Sequence, residues 1–436
     1  MKKKMNMTRR KFIKAGGAVV SSVSLGSLFW PMTSVGLGGK PKPRVVVVGG
    51  GFGGVTCARF IKKFDANIDV TLIERDAQFI TCPFSNLVLG GLRDINSITY
   101  GYDILKNKDG INVVHDEVTG IDAEKRQVKT KSGKAYDYDR AVVSPGIDFL
   151  WDRVEGYSEA DVEITPHAWK AGKQTLLLKS QLDAMEDGGV FVMVAPPNPF
   201  RCPPGPYERA GMVAHYLKTH KPKSKILILD AKDNFSKQGL FTKGWEALYP
   251  GMIEWVAGTK GGIVTKVDAK NMTVYNEAGD PIKGAVINYI PHQAAGMIAR
   301  SAGLADATGW CPVNQKTFES SVLKNIHVIG DSSLAGELPK SGYAATSEGK
   351  MCAAAVVTAI NGMEMPNPSY TNTCYSLVGP DYGISVAGVY RIEDGKITAV
   401  KGAGGVSPAD ADESFRRAEA LYASGWYSSI TQELFG

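Results

Sequence analysis

Hydrophobic residues occur along the chain in short unbroken runs, each followed by a turn and then by a helical pattern. Residues 44–48 read RVVVV, and the glycine-rich stretch GGGFGG follows at once, before a helical pattern that reaches about Phe64. A second apolar run, DVTLIE, covers residues 69–74. An unbroken β-branched run is typical of a strand that is covered on both faces of a parallel sheet. The order strand, glycine turn, helix, strand predicts a βαβ unit.

A weaker copy of this order returns in the middle of the chain. Residues 189–194, GVFVMV, predict a buried strand, residues 207–219 predict a helix, and residues 225–230, KILILD, predict the next strand. Because a whole strand–helix–strand unit is repeated, the pattern predicts a duplicated domain and not a solenoid of short repeats.

Shorter elements connect and follow these two units. Residues 128–136 predict a hairpin that turns at residues 132–133. Residues 326–331 predict a strand that ends in a Gly-Asp turn, and residues 342–361 predict an Ala-rich helix. From residue 366 onward the composition shifts to Tyr, Ser, Gly and Pro, which predicts a third, smaller domain.

The first glycine run has the spacing Gly49-x-Gly51-x-x-Gly54. The first glycine allows a tight turn, the second lets the backbone approach a pyrophosphate, and the third lets helix and strand pack closely. The following helix offers free N–H groups to phosphates. Glu74, at the end of the second strand, is placed to accept a hydrogen bond from a ribose hydroxyl. We therefore expect a bound dinucleotide, with a glycine-rich turn that binds no nucleotide as the alternative.

The second copy lacks a glycine fingerprint. Its first strand is followed by residues 195–206, APPNPFRCPPGP, in which six of twelve residues are proline. Proline has no N–H donor, so this segment, here called the proline loop, is unsuited to cradling a pyrophosphate. We therefore expect that a nicotinamide does not reduce the cofactor. Cys202 lies in the middle of the proline loop.

The first 40 residues differ in composition from the rest. They hold eight Lys and Arg residues and no acid, so removing them from a formal net charge of +6 leaves −2. This excludes a basic, nucleic-acid-binding body. Arg9 and Arg10 precede an apolar run at residues 15–28, and the arrangement resembles a twin-arginine export signal. We expect export to the periplasm and no transmembrane segment in the mature chain. An ordinary basic N-terminus and an uncleaved anchor are the alternatives.

The chain has six cysteines, and an oxidising compartment permits disulfides among them. They are too few, in a chain of this length, to form a structural framework. No Cys-x-x-Cys pair occurs, so zinc, iron–sulfur and haem-attachment sites are not expected. Cys57 and Cys352 lie in predicted helices, where we expect them to be small core residues.

Six short segments carry a specific resemblance to a known family. They are residues 81–86 (TCPFSN), 166–170 (PHAWK), 200–209 (FRCPPGPYER), 340–343 (KSGY), 371–376 (TNTCYS) and 424–426 (SGW). They resemble segments of the flavoprotein subunit of flavocytochrome c sulfide dehydrogenases, whose wider relatives are the sulfide:quinone reductases. The resemblance extends over residues 43–436.

The resemblance implies an α/β fold with two Rossmann-like dinucleotide-binding domains of the glutathione-reductase type and a small C-terminal α+β domain. The implied segments are a signal at residues 1–40, a first part of the FAD-binding domain at 41–150, a second, NAD-like domain without a glycine fingerprint at 151–290, a second part of the FAD-binding domain at 291–365 and an interface domain at 366–436.

The same resemblance implies that the dinucleotide is FAD. The turns at Gly146 and at Gly330-Asp331 match flavin-binding turns of the family, in which the Asp reaches the ribityl or pyrophosphate region. Cys82 corresponds to the cysteine that is joined to the flavin ring, so covalent FAD is expected. The alternatives are a turn-capping acid for Asp331 and a buried thiol for Cys82. Trp426 is expected near the flavin, with a core or interface role as the alternative.

By the same resemblance, Cys202 and Cys374 correspond to a redox-active disulfide facing the flavin. They lie 172 residues apart, and we expect both in loop-like surroundings. A purely structural disulfide is the alternative. Glu208 is expected to accept a proton from hydrosulfide or a thiol, with a structural acid at a helix start as the alternative. Cys311 also matches the family, without an assigned role.

The function implied is oxidation of sulfide to sulfur or polysulfide, with FAD passing electrons to a c-type cytochrome subunit in a heterodimer. Haem is expected on the partner only, because this chain has no haem-attachment motif. The alternatives are a sulfide:quinone reductase at the membrane surface, a non-catalytic flavin-binding subunit of a sulfur-oxidising complex, and an NADH-dependent reductase. The apolar residues of the tail, 414–436, are interrupted by charges and lack the Lys/Arg-rich face of an interfacial helix.

Overall fold

The predicted βαβ unit opens the folded part of the chain. The structure is a computed structural model that describes residues 41–436, and the predicted export signal lies outside the described residues. The elements of the first part are β1 (Arg44–Val48), α1 (Phe52–Phe64), β2 (Asp69–Ile73), β3 (Phe79–Ile80), α2 (Ser85–Leu89), β4 (Thr99–Tyr100), α3 (Asp103–Asn107), β5 (Asn112–Val114), β6 (Val118–Asp122), β7 (Gln127–Thr130), β8 (Ala135–Asp137), β9 (Arg140–Val143) and β10 (Ile147–Phe149).

The middle of the chain repeats the strand–helix alternation. Its elements are α4 (Lys173–Ala184), β11 (Val190–Ala195), α5 (Gly205–His220), β12 (Lys225–Asp230), α6 (Gln238–Leu248), β13 (Ile253–Val256), β14 (Val264–Asp268), β15 (Thr273–Asn276), β16 (Pro281–Lys283), β17 (Val286–Tyr289), β18 (Gln293–Ala295) and α7 (Met297–Ser301). The predicted strands and helix of the second unit are confirmed within one or two residues.

The last part of the chain returns to the first sheet and then adds a new one. Its elements are β19 (Ile326–Val328), α8 (Gly342–Ile360), β20 (Ser369–Gly379), β21 (Tyr382–Glu393), β22 (Lys396–Val406) and α9 (Glu413–Phe435). The hairpin predicted around residues 132–133 is also confirmed, as the antiparallel pair β7 and β8.

Two parallel sheets organise these elements. The first has the order β19-β9-β1-β2-β5 and the second the order β13-β12-β11-β17. Residues 45–48 of β1 are buried, as expected for a strand with neighbours on both sides and helices on the faces. Helices α1 and α8 pack so closely that a Cβ on Gly349 would lie 2.8 Å from the Gly53 carbonyl oxygen.

The C-terminal part is an antiparallel sheet, β20-β21-β22, covered by α9. The expectation of loop-like surroundings for Cys374 is wrong, because Cys374 lies inside β20 and pairs with Val386 of β21. In β20, Ser and Thr residues alternate with larger residues such as Tyr370, which is the pattern of a half-buried strand.

Helix α9 buries one side, including Tyr427 and Leu434, and exposes Leu421 and Tyr422. Within residues 41–436 no helix combines the length and the apolar character that crossing a bilayer requires. Each parallel sheet falls within the segments assigned to one domain. The exact domain boundaries stay a prediction.

Candidate active site

Four predicted binding segments meet at one edge of the first sheet. The glycine turn follows β1, Glu74 follows β2, residues 144–146 follow β9, and Gly330-Asp331 follow β19. Since the strands are parallel, all four segments lie at their carboxyl ends, the edge at which open α/β sheets bind ligands. They line one cavity of about 510 Å³.

The glycine turn is shaped by close backbone contacts. Gly49 has a φ of +100°, and a Cβ there would lie 2.3 Å from the Ser144 carbonyl oxygen. A Cβ on Gly54 would lie 1.9 Å from the Gly49 carbonyl oxygen, so only glycine allows α1 to start here. A Cβ on Gly51 would make ordinary van der Waals contact with the Phe79 ring at 3.6 Å, and Gly51 lines the cavity. The Glu74 carboxylate accepts a hydrogen bond of 2.7 Å from Gly50 N.

Asp331 gives a direct test of whether a flavin dinucleotide fits this cavity. Burial raises the pKa of its carboxyl, while Arg201 and Lys340 act in the opposite direction. Among the described residues, its buried Oδ1 has no hydrogen-bond partner. A ribityl or ribose hydroxyl would supply the missing donor. Together with Gly146, which lines the same cavity, these groups fit FAD.

Cys82 lines the same cavity together with Lys170 and Arg201. Its Sγ lies 3.5 Å from the carbonyl oxygen of Trp169, and the Arg201 guanidinium donates to that same oxygen. Arg201 Nη1 is also 4.0 Å from Asp331 Oδ2. Arg201 therefore connects Cys82 with the acid at the far side of the cavity.

Cys202 and Cys374 are brought together next to this cavity. Cys202 follows Arg201 and adopts a φ of +59°, and its N–H donates to the Lys340 carbonyl oxygen at 2.8 Å. Burial raises the pKa of the Cys202 thiol, and the negative charge of Cys374 and then of Glu208 raises it further. The two predicted redox cysteines and the predicted acid are thus half-buried neighbours, although β20 and the proline loop are distant in sequence.

Glu208 lies in the first turn of α5, but its carboxylate does not bind the amides of its own helix. It accepts hydrogen bonds from Asn86 Nδ2 at 2.8 Å and from Leu377 N at 2.9 Å. Burial raises the pKa of this carboxyl, which moves it toward values suited to proton transfer near neutral pH.

Lys237 is a site residue that sequence reasoning missed. Its side chain is buried, and its ammonium donates to the Cys374 carbonyl oxygen and to Ser376 Oγ, both at 2.9 Å. We call Cys202, Cys374, Glu208 and Lys237 the thiol cluster. Lys237 lies in a polar stretch without motif spacing, and only its burial distinguishes it from a surface lysine. Arg201 was also given no role, although it stands in a segment that carries the family resemblance.

The segment 166–170 is explained by a structural role. Arg209 is fully buried and donates to the carbonyl oxygens of His167 and Ala168 and to the side chains of Asn86 and Asn288. Burial lowers the pKa of His167 to about 3, so its ring is neutral, and Nδ1 accepts from Trp169 N. His167 therefore has a structural role in the backbone turn that Arg209 holds.

Family models match most of the described chain. The model described as "Sulfide dehydrogenase [flavocytochrome c] flavoprotein chain, central" matches residues 175–291, and "Flavocytochrome c sulphide dehydrogenase, flavin-binding" matches residues 366–435. A pyridine nucleotide-disulphide oxidoreductase model matches residues 43–170. A sulfide dehydrogenase flavoprotein chain from Chlorobaculum thiosulfatiphilum is 60% identical over 45 residues, which are 10% of this chain and 94% of that sequence. This chain belongs to the flavocytochrome c sulfide dehydrogenase flavoprotein family.

Other similarities place this flavoprotein beside quinone-dependent relatives. The mitochondrial sulfide:quinone oxidoreductase of Dictyostelium discoideum is 26% identical over 320 residues, covering 70% of this chain and 68% of the relative. The solved sulfide:quinone oxidoreductase of Aquifex aeolicus superposes with a TM-score of 0.69 at 20% identity, covering 89% of this chain and 92% of that one. The predicted fold class is confirmed by this neighbour and by the oxidoreductase model.

The second sheet of the flavoprotein has a blocked edge where a nicotinamide dinucleotide would bind. Asp230, at the end of β12, corresponds in position to Glu74, which follows β2 in the first sheet. Unlike Glu74, Asp230 is fully buried. Its Oδ2 accepts hydrogen bonds from the Tyr207 hydroxyl at 2.5 Å and from Trp255 Nε1 at 3.0 Å, and its Oδ1 accepts from Lys232. The ring of Phe235 stacks on Tyr207 with centroids 3.6 Å apart. The acid that would bind a ribose is therefore occupied by the protein's own side chains.

Trp426 does not line the FAD cavity. Its ring stacks on Tyr343 with centroids 6.1 Å apart, and the adjacent Gly342 does line the cavity. Tyr343, on which the indole stacks, is the chain neighbour of the cavity residue Gly342. The predicted contact of Trp426 with the flavin stays a prediction. Of the other predicted binding and catalytic residues, all but Gly54 line the cavity or belong to the thiol cluster, and Gly54 packs beneath the glycine turn against Gly49.

Replacing a glycine by alanine should have opposite effects on stability in α1, where the glycine is tightly packed, and in α9, where it is not. Gly54→Ala would overpack the α1–β1 junction, and we expect a loss of roughly 1–3 kcal/mol in the free energy of unfolding, with reduced flavin content. Gly425→Ala in α9 meets nothing within 4 Å and should stabilise by about 0.5–1 kcal/mol. Thermal unfolding and the flavin-to-protein absorbance ratio test both. Full flavin loading and unchanged stability in Gly54→Ala would contradict the role of this glycine.

Proposed function

We propose that this flavoprotein oxidises sulfide to polysulfide through a redox disulfide between Cys202 and Cys374, and that FAD then passes the electrons to a c-type cytochrome subunit. The observation that carries the proposal is the proximity of the two half-buried cysteines to each other and to Glu208, beside the cavity that Cys82 and Asp331 line. The family membership and the sulfide:quinone oxidoreductase relatives support sulfide as the substrate.

The sulfur chemistry follows from thiol–disulfide exchange. Hydrosulfide attacks one sulfur of the disulfide, the S–S bond breaks, and one cysteine holds a persulfide while the other becomes a thiolate. A second hydrosulfide removes the outer sulfur as hydrogen disulfide anion and leaves a thiol. When thiol and thiolate reform the disulfide, one proton and two electrons are released, so that two hydrosulfides yield one disulfide anion. Bound FAD supplies the two-electron acceptor.

The proposed proton acceptor is Glu208. Its carboxylate is oriented by Asn86 and by the backbone of β20, the strand that carries Cys374. A carboxyl whose pKa is raised by burial holds the released proton more readily at neutral pH than an exposed one would.

A nicotinamide is disfavoured as the electron donor, since the proline loop offers few N–H donors and Asp230 is bonded to Tyr207 and Trp255. We further propose that residues 1–40 direct export to the periplasm, where a c-type cytochrome partner would be available.

Removing either cysteine of the proposed pair should abolish sulfide-dependent bleaching of the flavin. We expect Cys202→Ala and Cys374→Ala to lower the rate of flavin reduction by about 10³-fold or more, because no disulfide remains to be attacked. Cys311→Ala, which removes a buried thiol elsewhere in the chain, should bleach as the wild type does. Stopped-flow absorbance after anaerobic sulfide addition measures the rates.

If sulfide bleaches the flavin normally in both pair variants, flavin reduction does not require the disulfide, and the proposed mechanism fails. A non-catalytic flavin-binding subunit would then be the better description. Bleaching by NADH alone would revive the nicotinamide-dependent reductase.

Covalent attachment of FAD to Cys82 is proposed from the family resemblance and from the position of this thiol in the cavity. Acid precipitation of the wild type should leave yellow protein, and the tryptic peptide that contains Cys82 should carry the mass of FAD. Cys82→Ala should release its flavin on the same treatment, while Cys311→Ala should retain it. A colourless wild-type precipitate would exclude the covalent bond.

The electron acceptor is tested separately from sulfide oxidation. We expect the sulfide-reduced flavin to be reoxidised rapidly by an oxidised c-type cytochrome and slowly by a short-chain ubiquinone, measured by the return of flavin absorbance under anaerobic conditions. The sulfide:quinone oxidoreductase relatives and the exposed Leu421 and Tyr422 of α9 favour the alternative acceptor. Faster reoxidation by quinone, with binding to liposomes, would favour a membrane-surface quinone reductase.

A further inference from the structure

Lys237 is a buried cation whose position is unusual. Lys237 is the N-cap residue of α6, and its backbone has a φ of +61°. The N-terminal end of a helix carries partial positive charge, so an ammonium there does not stabilise its own helix. The backbone conformation is also one that residues other than glycine adopt rarely. Neither feature is expected of a lysine with a purely local structural role.

The hydrogen bonds of Lys237 reach two neutral oxygens, Cys374 O and Ser376 Oγ, both on β20. Among residues 41–436, no carboxylate forms an ion pair with its ammonium. A buried charge without an ion-pair partner is costly, and it is retained where another charge must be stabilised. The two bonds fix the ammonium to the strand segment that carries Cys374.

The ionisable groups that face Lys237 come from three directions. They are Cys374 on β20, Cys202 in the proline loop with Glu208 in the first turn of α5, and Glu419 on α9. Glu419 is already hydrogen bonded to Ser385 and Ser407 and paired with Arg416. Burial lowers the pKa of Lys237 to about 8, so the side chain still carries its charge at pH 7.

We propose that Lys237 is a positioning residue of sulfide oxidation, whose ammonium stabilises the thiolate that forms on Cys374 when the disulfide opens. The inference rests on the proposed function for the identity of the reaction. In this step hydrosulfide bonds to Cys202 Sγ, the S–S bond breaks, and its electron pair remains on Cys374 Sγ. The new negative charge arises beside the anchored ammonium.

The direction of the attack follows from the surroundings of Cys202. Its thiol has a pKa that is raised chiefly by burial, and the charge of Glu208 raises it further, which makes Cys202 the poorer leaving group. Breaking the bond toward Cys374 instead places the charge on the strand that Lys237 binds. A nearby cation lowers the pKa of a thiol and so increases the thiolate fraction.

The closing experiment separates the charge of Lys237 from its hydrogen bonds. Lys237→Gln retains N–H donors for Cys374 O and Ser376 Oγ but has no charge, Lys237→Met has neither, and Lys237→Arg retains the charge. Lys243→Met, on the exposed side of the same helix, is the matched control. In dithiothreitol-reduced protein, iodoacetamide alkylation of the Cys374 peptide is followed against pH by mass spectrometry. Stopped-flow flavin reduction by sulfide is measured in parallel.

We expect the Gln and Met variants to move the alkylation midpoint of Cys374 to higher pH by about one unit, which is a roughly tenfold slower alkylation at a fixed lower pH. Flavin reduction should slow by about 10- to 100-fold in both. The Arg variant and Lys243→Met should stay near the wild type. A Gln variant that alkylates and reacts like the wild type would show that hydrogen bonding suffices, and it would overturn the inference.

The two proposals fail in different ways. If sulfide does not bleach the wild-type flavin, the proposed function fails, whereas the shift of the Cys374 alkylation midpoint can still be present. If sulfide bleaches the wild type and the uncharged variants keep its alkylation profile, the inference alone fails. If Lys237→Met does not fold, the comparison of Gln with Arg still decides, because both side chains end in N–H donors and only Arg is charged.

Discussion

The carboxylate of Glu208 is the contact on which the candidate site depends. It joins the start of α5 to the backbone of β20 through Leu377 N and to α2 through Asn86. Buried carboxylates need such partners, because an unpaired one would cost several kilocalories per mole. Satisfying this acid therefore fixes the strand that carries Cys374 against the helix that follows Cys202. The same carboxyl is left with a raised pKa, which suits a proton acceptor.

The two parallel sheets use the same architecture for different purposes. The carboxyl edge of the first sheet is open, lined by glycines and by an acid with an unsatisfied oxygen, and it fits FAD. The corresponding edge of the second sheet is filled by Tyr207, Phe235 and Trp255 around Asp230. A duplicated dinucleotide fold thus has one open nucleotide site, and the loop in the place of the second glycine turn carries Cys202 instead.

Charge is distributed so that the thiol cluster can hold an additional anion. Arg201 extends from the flavin cavity toward Cys202, and Lys237 approaches Cys374 from α6. The Glu208 carboxylate accepts its hydrogen bonds from the neutral donors Asn86 Nδ2 and Leu377 N, and it forms no ion pair with Arg201 or Lys237 among the described residues. A cation held near a cysteine stabilises the thiolate form when negative charge develops there.

The sequence by itself determined the elements whose cause is local. The β-branched run of β1, the glycine spacing from Gly49 to Gly54 and the six prolines of the proline loop each dictate a backbone conformation, so the βαβ unit and the loss of a second nucleotide turn could be predicted. The family segments pointed to Cys82, Cys202 and Cys374. Only the tertiary structure shows that Cys374 lies inside a strand, that the Trp426 ring stacks on Tyr343 and that Lys237 is buried in the thiol cluster. Burial and side-chain contacts depend on residues that are far apart in the chain, so local sequence patterns do not reveal them.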